Sequence, residues 1–155
     1  MRTLPLLLSF LLLLLLGACG KPQTGAVEPH WDRDTCERCR MVLSDRFHSA
    51  QVRYRDDSGR SRVRLFDDIG CAIVWLQDQP WRDAPTTEIW VNDHRSGEWI
   101  DARKAFYVSG HNTSMEYGLG AQSDAATGSM DFAAARRHVL EKERRNHARH
   151  GPKPR

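Results

Sequence analysis

The 155-residue chain balances 23 Lys plus Arg against 20 Asp plus Glu, a formal charge of +3, and 40% of its residues are hydrophobic. It lacks the basic excess that marks a nucleic-acid-binding domain. Its length suits one domain that can bury a core without staples, and its four Cys and four Met leave sulfur as the chemistry to explain.

Met1-Arg2 precedes an apolar run from Leu4 to Leu16, the length of a secretory h-region and too short for a membrane span. Leu16-Gly17-Ala18-Cys19 resembles a bacterial lipobox, which implies cleavage after residue 18 and a lipidated Cys19. Gly20, not Asp, follows that cysteine, which favours a lipoprotein of the outer membrane facing the periplasm. Several acyl chains anchor a protein stably where one does not. Cleavage removes Arg2 and no other charged residue, so +3 becomes +2. Gly20 to Pro29 is rich in Gly, Pro, Gln and Thr and reads as a flexible tether. The globular part is expected to begin near His30-Trp31.

Ser49 to Tyr54 alternates, with Ala50, Val52 and Tyr54 on one side, as a half-buried strand does. Asp56-Asp57-Ser58-Gly59 is a turn signal and Val63 and Leu65 alternate again, which predicts a hairpin. Asp67-Asp68 open a helix in which Ile69, Ala72, Ile73 and Leu76 recur at helical spacing, ending at Gln79-Pro80. Glu88 to Val91 reads as a strand, Asn92 to Gly97 as a turn, and Glu98 to Ile100 as the start of its partner. A helical turn over Asp101 to Lys104 and a strand over Ala105 to Val108 follow. Both halves thus read strand, turn, strand with some helix, the outline of a weak duplication. Ser109 to Ser129, dominated by Gly, Ser, Asn, Thr and Ala, reads as a long loop carrying His111, Met115 and Tyr117. Loops of that length in a compact domain are usually functional or mobile. Met130 to Glu143 predicts a helix with Phe132, Ala135 and Val139 on one face, and basic residues 144–155 read as a disordered tail. The predicted organisation is a signal peptide over 1–18, a lipidated tether over 19–29, a metal-binding domain over 30–143 and the tail. Most of the five Trp are expected in the core, with Trp81, beside Pro80 and Arg82, exposed to a partner.

The chemistry centres on Cys36-Glu37-Arg38-Cys39-Arg40-Met41. Cys and Met sulfurs are soft ligands that select Cu(I) over hard cations, and thioether is not a usual zinc ligand. With Cys19 lipidated, Cys36, Cys39 and Cys71 remain, an odd number that cannot all pair in an oxidising compartment; a metal would hold them. Cys36 and Cys39 also fit a closed disulfide in a structural lipoprotein, or the pair of a thiol–disulfide oxidoreductase. Arg40 stands where covalent haem attachment needs His. On an extended segment Met41 would point the same way as Cys39. Met115 lies in a polar loop with no apolar periodicity to bury it, and His111 is a weaker ligand candidate four residues earlier, with His48 and His94 weaker still. The resulting Cu(I) set is Cys39, Met41 and Met115, with Cys36 and His111 as further candidates. Cys71, beside Ala72 and Ile73, reads as a buried small hydrophobe. Asp67, Asp68, Asp93 and Asp101 read as caps and turn residues. No nucleophile–base constellation and no phosphate loop stands out, so the chain is not expected to be an enzyme.

Four stretches together resemble the NosL family, lipoprotein copper chaperones of the nitrous oxide reductase system. They are Thr35 to Met41, Leu65 to Cys71, Trp90 to Ala105, and Tyr107 to Gly118. The family commonly has Gly where Arg40 stands, and often reads Thr-Pro-Met-Gly where this chain has Thr113-Ser114-Met115-Glu116. The resemblance implies an α+β fold of two ββαβ-like units, similar to the organomercurial lyase core. It also implies that the chain binds Cu(I) and supplies it in the periplasm to copper-receiving maturation proteins, nitrous oxide reductase or its transporter complex; a monomer is expected.

Overall fold

A computed structural model describes residues 23–150 of the chain. The expected signal segment and Cys19 lie outside the described residues, as do residues 151–155. Among the described residues the architecture is α+β, with six strands and two helices. They are β1 (Ala50–Arg55), β2 (Ser61–Phe66), α1 (Ile69–Gln77), β3 (Glu88–Asn92), β4 (Trp99–Asp101), β5 (Phe106–Ser109), β6 (Leu119–Gln122) and α2 (Phe132–His150). The first unit is a complete ββαβ, β1 to β3, and the second repeats the ββα part as β5–β6–α2, with β4 between them.

The predicted hairpin forms around Gly59, which takes a left-handed φ of 75° that glycine adopts without a steric penalty. β1 and β2 pair antiparallel from Ala50↔Phe66 to Arg55↔Ser61. The sheet order is β2-β1-β3-β4, so β1 is central. It is buried on both faces, not on one: Gln51 and Arg53 are buried alongside Ala50 and Val52. The end of the expected tether covers the second face. Val27 N–H donates to Gln51 Oε1 at 2.8 Å, Gln51 Nε2 donates back to the Val27 carbonyl at 2.9 Å, and Arg53 Nε donates to the Gly25 carbonyl at 2.8 Å. The packed domain therefore starts by Gly25, earlier than His30, because two buried polar side chains need backbone partners.

Helix α1 starts as its sequence dictates: the Asp68 carboxylate accepts from Gly70 N–H at 2.6 Å and caps the helix. A Cβ on Gly70 would lie 2.1 Å from the Tyr117 ring, so only glycine lets Tyr117 lie on the first turn of α1. The stretch 109–129 is not a continuous loop. Leu119–Gln122 form β6, all four buried and paired with β5 from Phe106↔Gln122 to Ser109↔Leu119. Gly120 and Ala121 carry little strand propensity, and burial against β5 overrides it. A parallel bridge, Asp93↔Ala121, joins this small sheet to the end of β3.

Helix α2 buries Ala135 and Val139 on the predicted face, and it continues through 144–150, where a disordered tail was expected. Glu141–Arg145 at 3.7 Å and Glu143–His147 at 3.1 Å, both i,i+4 pairs, extend it. Trp81, expected to be exposed, is half-buried and stacks on Tyr54 with centroids 4.0 Å apart and planes within 2°.

Candidate metal centre

The sulfur segment is a closed turn. Cys36 N–H donates to the Met41 carbonyl at 2.8 Å and Arg40 N–H to the Cys36 carbonyl at 3.1 Å, while Glu37 N–H pins the turn to the Leu65 carbonyl of β2 at 2.8 Å. Closing it requires a left-handed residue, and Arg40 takes φ 65°. The premise that residues 39–41 are extended does not apply, and Met41 is 47% exposed instead of lying beside Cys39 in a groove. In the second loop Glu116 takes φ 60°. Both non-glycine departures noted in the sequence thus occupy conformations that favour glycine. Left-handed backbone costs an L-residue about 1–2 kcal/mol, and glycine returns roughly half of that gain in unfolded-state entropy. Arg40→Gly is therefore expected to stabilise the apo protein by about 0.5–1 kcal/mol. A melting temperature equal to or below wild type would show that the turn is unstrained.

This turn, the end of β2 and the first turn of α1 bring four ligand groups together. The sulfurs of Cys36, Cys39 and Cys71 and a carboxylate oxygen of Asp67 all lie within 4.8 Å of one another. Cys36, Cys71 and Asp67 are buried, and Cys39 is partly buried, the most accessible of the four. All three cysteines are free thiols. Cys39 Sγ lies 3.3 and 3.4 Å from the two oxygens of Asp67. Cys36 Sγ accepts from Cys39 N–H at 3.5 Å. A hydrogen bond from the Cys71 thiol, helped by backbone N–H groups of Cys39 and Asp67, outweighs burial and brings Cys36 down to about 7. Cys71 moves the other way: its hydrogen bonds with Cys36 and Cys39, its burial, and the charge of Cys36 and Asp67 nearby hold its proton on. A thiol lowered toward neutrality beside one that holds its proton suits a soft cation.

Cys71 was read as a hydrophobe and Asp67 as a cap. The cap is Asp68, one residue on, and both Asp67 and Cys71 face the turn. Of the expected ligands, Cys36 and Cys39 are in this group. Met115 is half-buried against the core, next to Ser114, whose hydroxyl reaches the Asp67 carbonyl at 3.5 Å. His111 lies apart, its Nδ1 3.3 Å from His48 Nε2.

Arg38, inside the turn, ties the pocket to the second unit. Its guanidinium donates to Tyr117 Oη at 3.1 Å, pairs with Glu143 of α2, and lies 4.0 Å from Cys71 Sγ. Tyr117 Oη donates to the second Glu143 oxygen at 2.5 Å. Nothing local in the sequence links these three residues, which lie 26 to 105 positions apart.

Fold and site together define a small α+β domain built around a buried pocket of soft donors able to hold a metal ion. The sequence profile of the NosL family matches residues 29–138, and the chain belongs to that family. A search of curated protein sequences finds no match. Among solved structures, the fold is similar to the copper chaperone NosL from Shewanella denitrificans, with a TM-score of 0.52 and 18% identity over 78% of this chain and 89% of that one.

Proposed function

We propose that this chain is a periplasm-facing lipoprotein, anchored through Cys19, that binds Cu(I) and passes it on for assembly of the copper sites of nitrous oxide reductase. The convergence of three thiols and Asp67 within 4.8 Å carries the reading, in a fold similar to that of the copper chaperone NosL from Shewanella denitrificans. The cargo ion would enter past Cys39, the most accessible of the four, and be held by Cys36, Cys39 and Cys71, displacing the Cys71 proton. Exposed Met41, on the same turn, offers a thioether from which the ion can be handed to a partner, and Met115 is a further sulfur donor. The pocket works by ligand exchange and turns nothing over.

One complementation experiment tests anchor, cargo and destination together. In a denitrifying cell lacking its own family member, the wild-type chain should restore copper-replete nitrous oxide reductase. Cys39→Ser should fail, and Cys19→Ser should leave the membrane fraction and restore poorly. Equal restoration by all three would sink the proposal. Purified protein that takes up no Cu(I) but catalyses disulfide exchange through Cys36 and Cys39 would replace it with the oxidoreductase reading.

A further inference from the structure

Charge is divided unevenly over the domain. Helix α2 carries six Arg or Lys against two Glu, a net of +4, whereas residues 23–131 carry 13 against 18, a net of −5. The excess lies toward the C-terminal end of the helix. Arg144, Arg145, His147 and Arg149 are exposed, and no acidic residue stands between Glu143 and His150. Both glutamates are engaged: Glu141 with Arg145 at 3.7 Å, and Glu143 with Arg38 and with His147, the latter at 3.1 Å. Among the described residues Arg144 and Arg149 have no carboxylate partner. Cations favour the last turn of a helix through its dipole, but that effect fades within the turn, and Arg144 and Arg145 stand more than a turn before His150.

The fold sets this end of α2 beside the thiol pocket. Glu143 holds Arg38, which lies between Cys36 and Cys39, and Lys142 Nζ donates to the Glu116 carbonyl. The seven residues after Glu143 rise about 10 Å beyond the Arg38 pair, at about 1.5 Å each. On the thiol turn itself, Glu37 is engaged by Arg40 and Arg64 at 3.9 and 3.7 Å. The expected lipid anchor lies the other way. Val27 sits at Gln51 and Gly25 at Arg53, so this segment runs along β1 away from the thiol turn. Gln23 and Thr24 line one crevice with Arg55 and Ser61, at the opposite end of the hairpin from Phe66. At about 3.3 Å per residue the two hairpin ends stand roughly 17 Å apart. Gln23 follows Cys19 by four positions, a reach of about 14 Å at full extension. An anchor at Cys19 therefore brings the Arg55–Ser61 end to the bilayer and turns the basic end of α2 away from it.

We propose that the end of α2 from Lys142 to Arg149 is a docking face for an acidic protein surface, that of the partner which exchanges copper with the thiol pocket. The inference rests on the Cu(I)-carrier reading for the identity of the partner, and on the Cys19 anchor for the choice of a protein over a membrane. Clustered exposed cations raise the association rate of an anionic partner and fix its orientation while adding little affinity, and salt screens them. A partner whose acidic patch rests on Arg144, Arg145 and Arg149 brings its neighbouring ligands over Cys39, the most accessible of the three thiols. The contact is fast to form and fast to release, as a transfer step requires.

The test uses the full chain in uncharged detergent, from about 10 mM to 1 M salt, over which the screening length falls from roughly 30 to 3 Å. Copper-loaded protein is mixed with two Cu(I)-binding peptides that share one Met-rich core and are flanked by Glu or by Lys. At low salt the Glu-flanked peptide should take copper about 10-fold faster, and the advantage should vanish at high salt and in Arg144→Gln/Arg145→Gln/Arg149→Gln. Apo protein is also reacted with a dianionic disulfide, dithiobis-nitrobenzoate, and a neutral one, dithiodipyridine. The anionic reagent should modify the wild-type thiols about 10-fold faster than those of the triple variant, and the neutral reagent should react equally with both. If the variant does not fold, the salt dependence of the wild-type rates decides. Equal rates for the two peptides at low salt, or a preference that survives in the triple variant, overturns the proposal. Arginine-dependent sedimentation with phosphatidylglycerol vesicles, without a preference for the Glu-flanked peptide, gives the face to a membrane and overturns it as well. If the protein binds no Cu(I), the carrier reading falls, and the reagent rates alone decide whether the helix end draws anionic groups to the thiols.

Discussion

Cys39→Ser is expected to weaken Cu(I) binding on the order of 100-fold or more, which at about 1.4 kcal/mol per decade is ~2.8 kcal/mol. Cys39 is the most accessible member of the thiol group, and a thiolate is a far stronger Cu(I) ligand than a hydroxyl. Serine can still donate to Asp67, so the apo fold should scarcely change. Cys71→Ser should cost comparable affinity, because it removes a sulfur from the group while the serine hydroxyl can still donate to Cys36. Thioether losses should be smaller, about 10-fold for Met41→Ala or Met115→Ala. Met41 is 47% exposed, so its loss should leave apo stability alone, whereas half-buried Met115 should cost some. Protons compete with the ion for sulfur, and Cys36 titrates near 7. Affinity should therefore fall as pH drops below that value and rise above it. Competition against a chromogenic Cu(I) chelator at several pH values, with apo melting curves on the same samples, checks all of this. Wild-type affinity in Cys39→Ser would remove the thiol group from the mechanism.

Where local chemistry decides structure, the sequence was legible. The Asp68 cap, the Gly59 hairpin and the Ala135/Val139 stripe follow from neighbours within a few residues. What it hid depends on distant packing. Cys71 looks apolar beside Ala72 and Ile73, and its sulfur becomes a pocket group only because Leu65 of β2 pins the turn carrying Cys36 and Cys39 in front of it. β6 hides in a Gly- and Ala-containing stretch because its strand character comes from β5. His48, His94 and His111 are each ordinary turn residues until the sheets place their turns together. Arg40 and Glu116 broke the family pattern, yet the backbone they adopt is the one glycine would take.

Glu143→Gln is expected to destabilise the apo protein by about 3 kcal/mol, since removing one partner of a buried ion pair leaves the other charge uncompensated. The Arg38 and Glu143 side chains are only 19% and 10% exposed, and beside glutamine the Arg38 charge would be left with neutral acceptors, the Tyr117 hydroxyl and an amide oxygen. For a domain of this size that is a fall of roughly 10 °C in melting temperature. Arg38→Met should cost about as much, and the double variant much less than the sum. Burial alone would raise the Glu143 carboxyl; the Tyr117 hydroxyl, the Arg38 guanidinium and His147 outweigh it and hold the group below its ordinary 4.5. A depressed carboxyl stabilises the fold above its unfolded pKa, and that stability is lost as pH falls through the folded value. Wild type should accordingly lose stability more steeply than Glu143→Gln on acidification below about 4.5. The two melting curves should converge there, and parallel curves down to the acid limit would show that the pair contributes nothing. Because Arg38 sits between Cys36 and Cys39, loosening it frees the turn that holds two of the three sulfurs. Glu143→Gln should therefore also release Cu(I) faster to a chelator, although Glu143 is not among the grouped ligands.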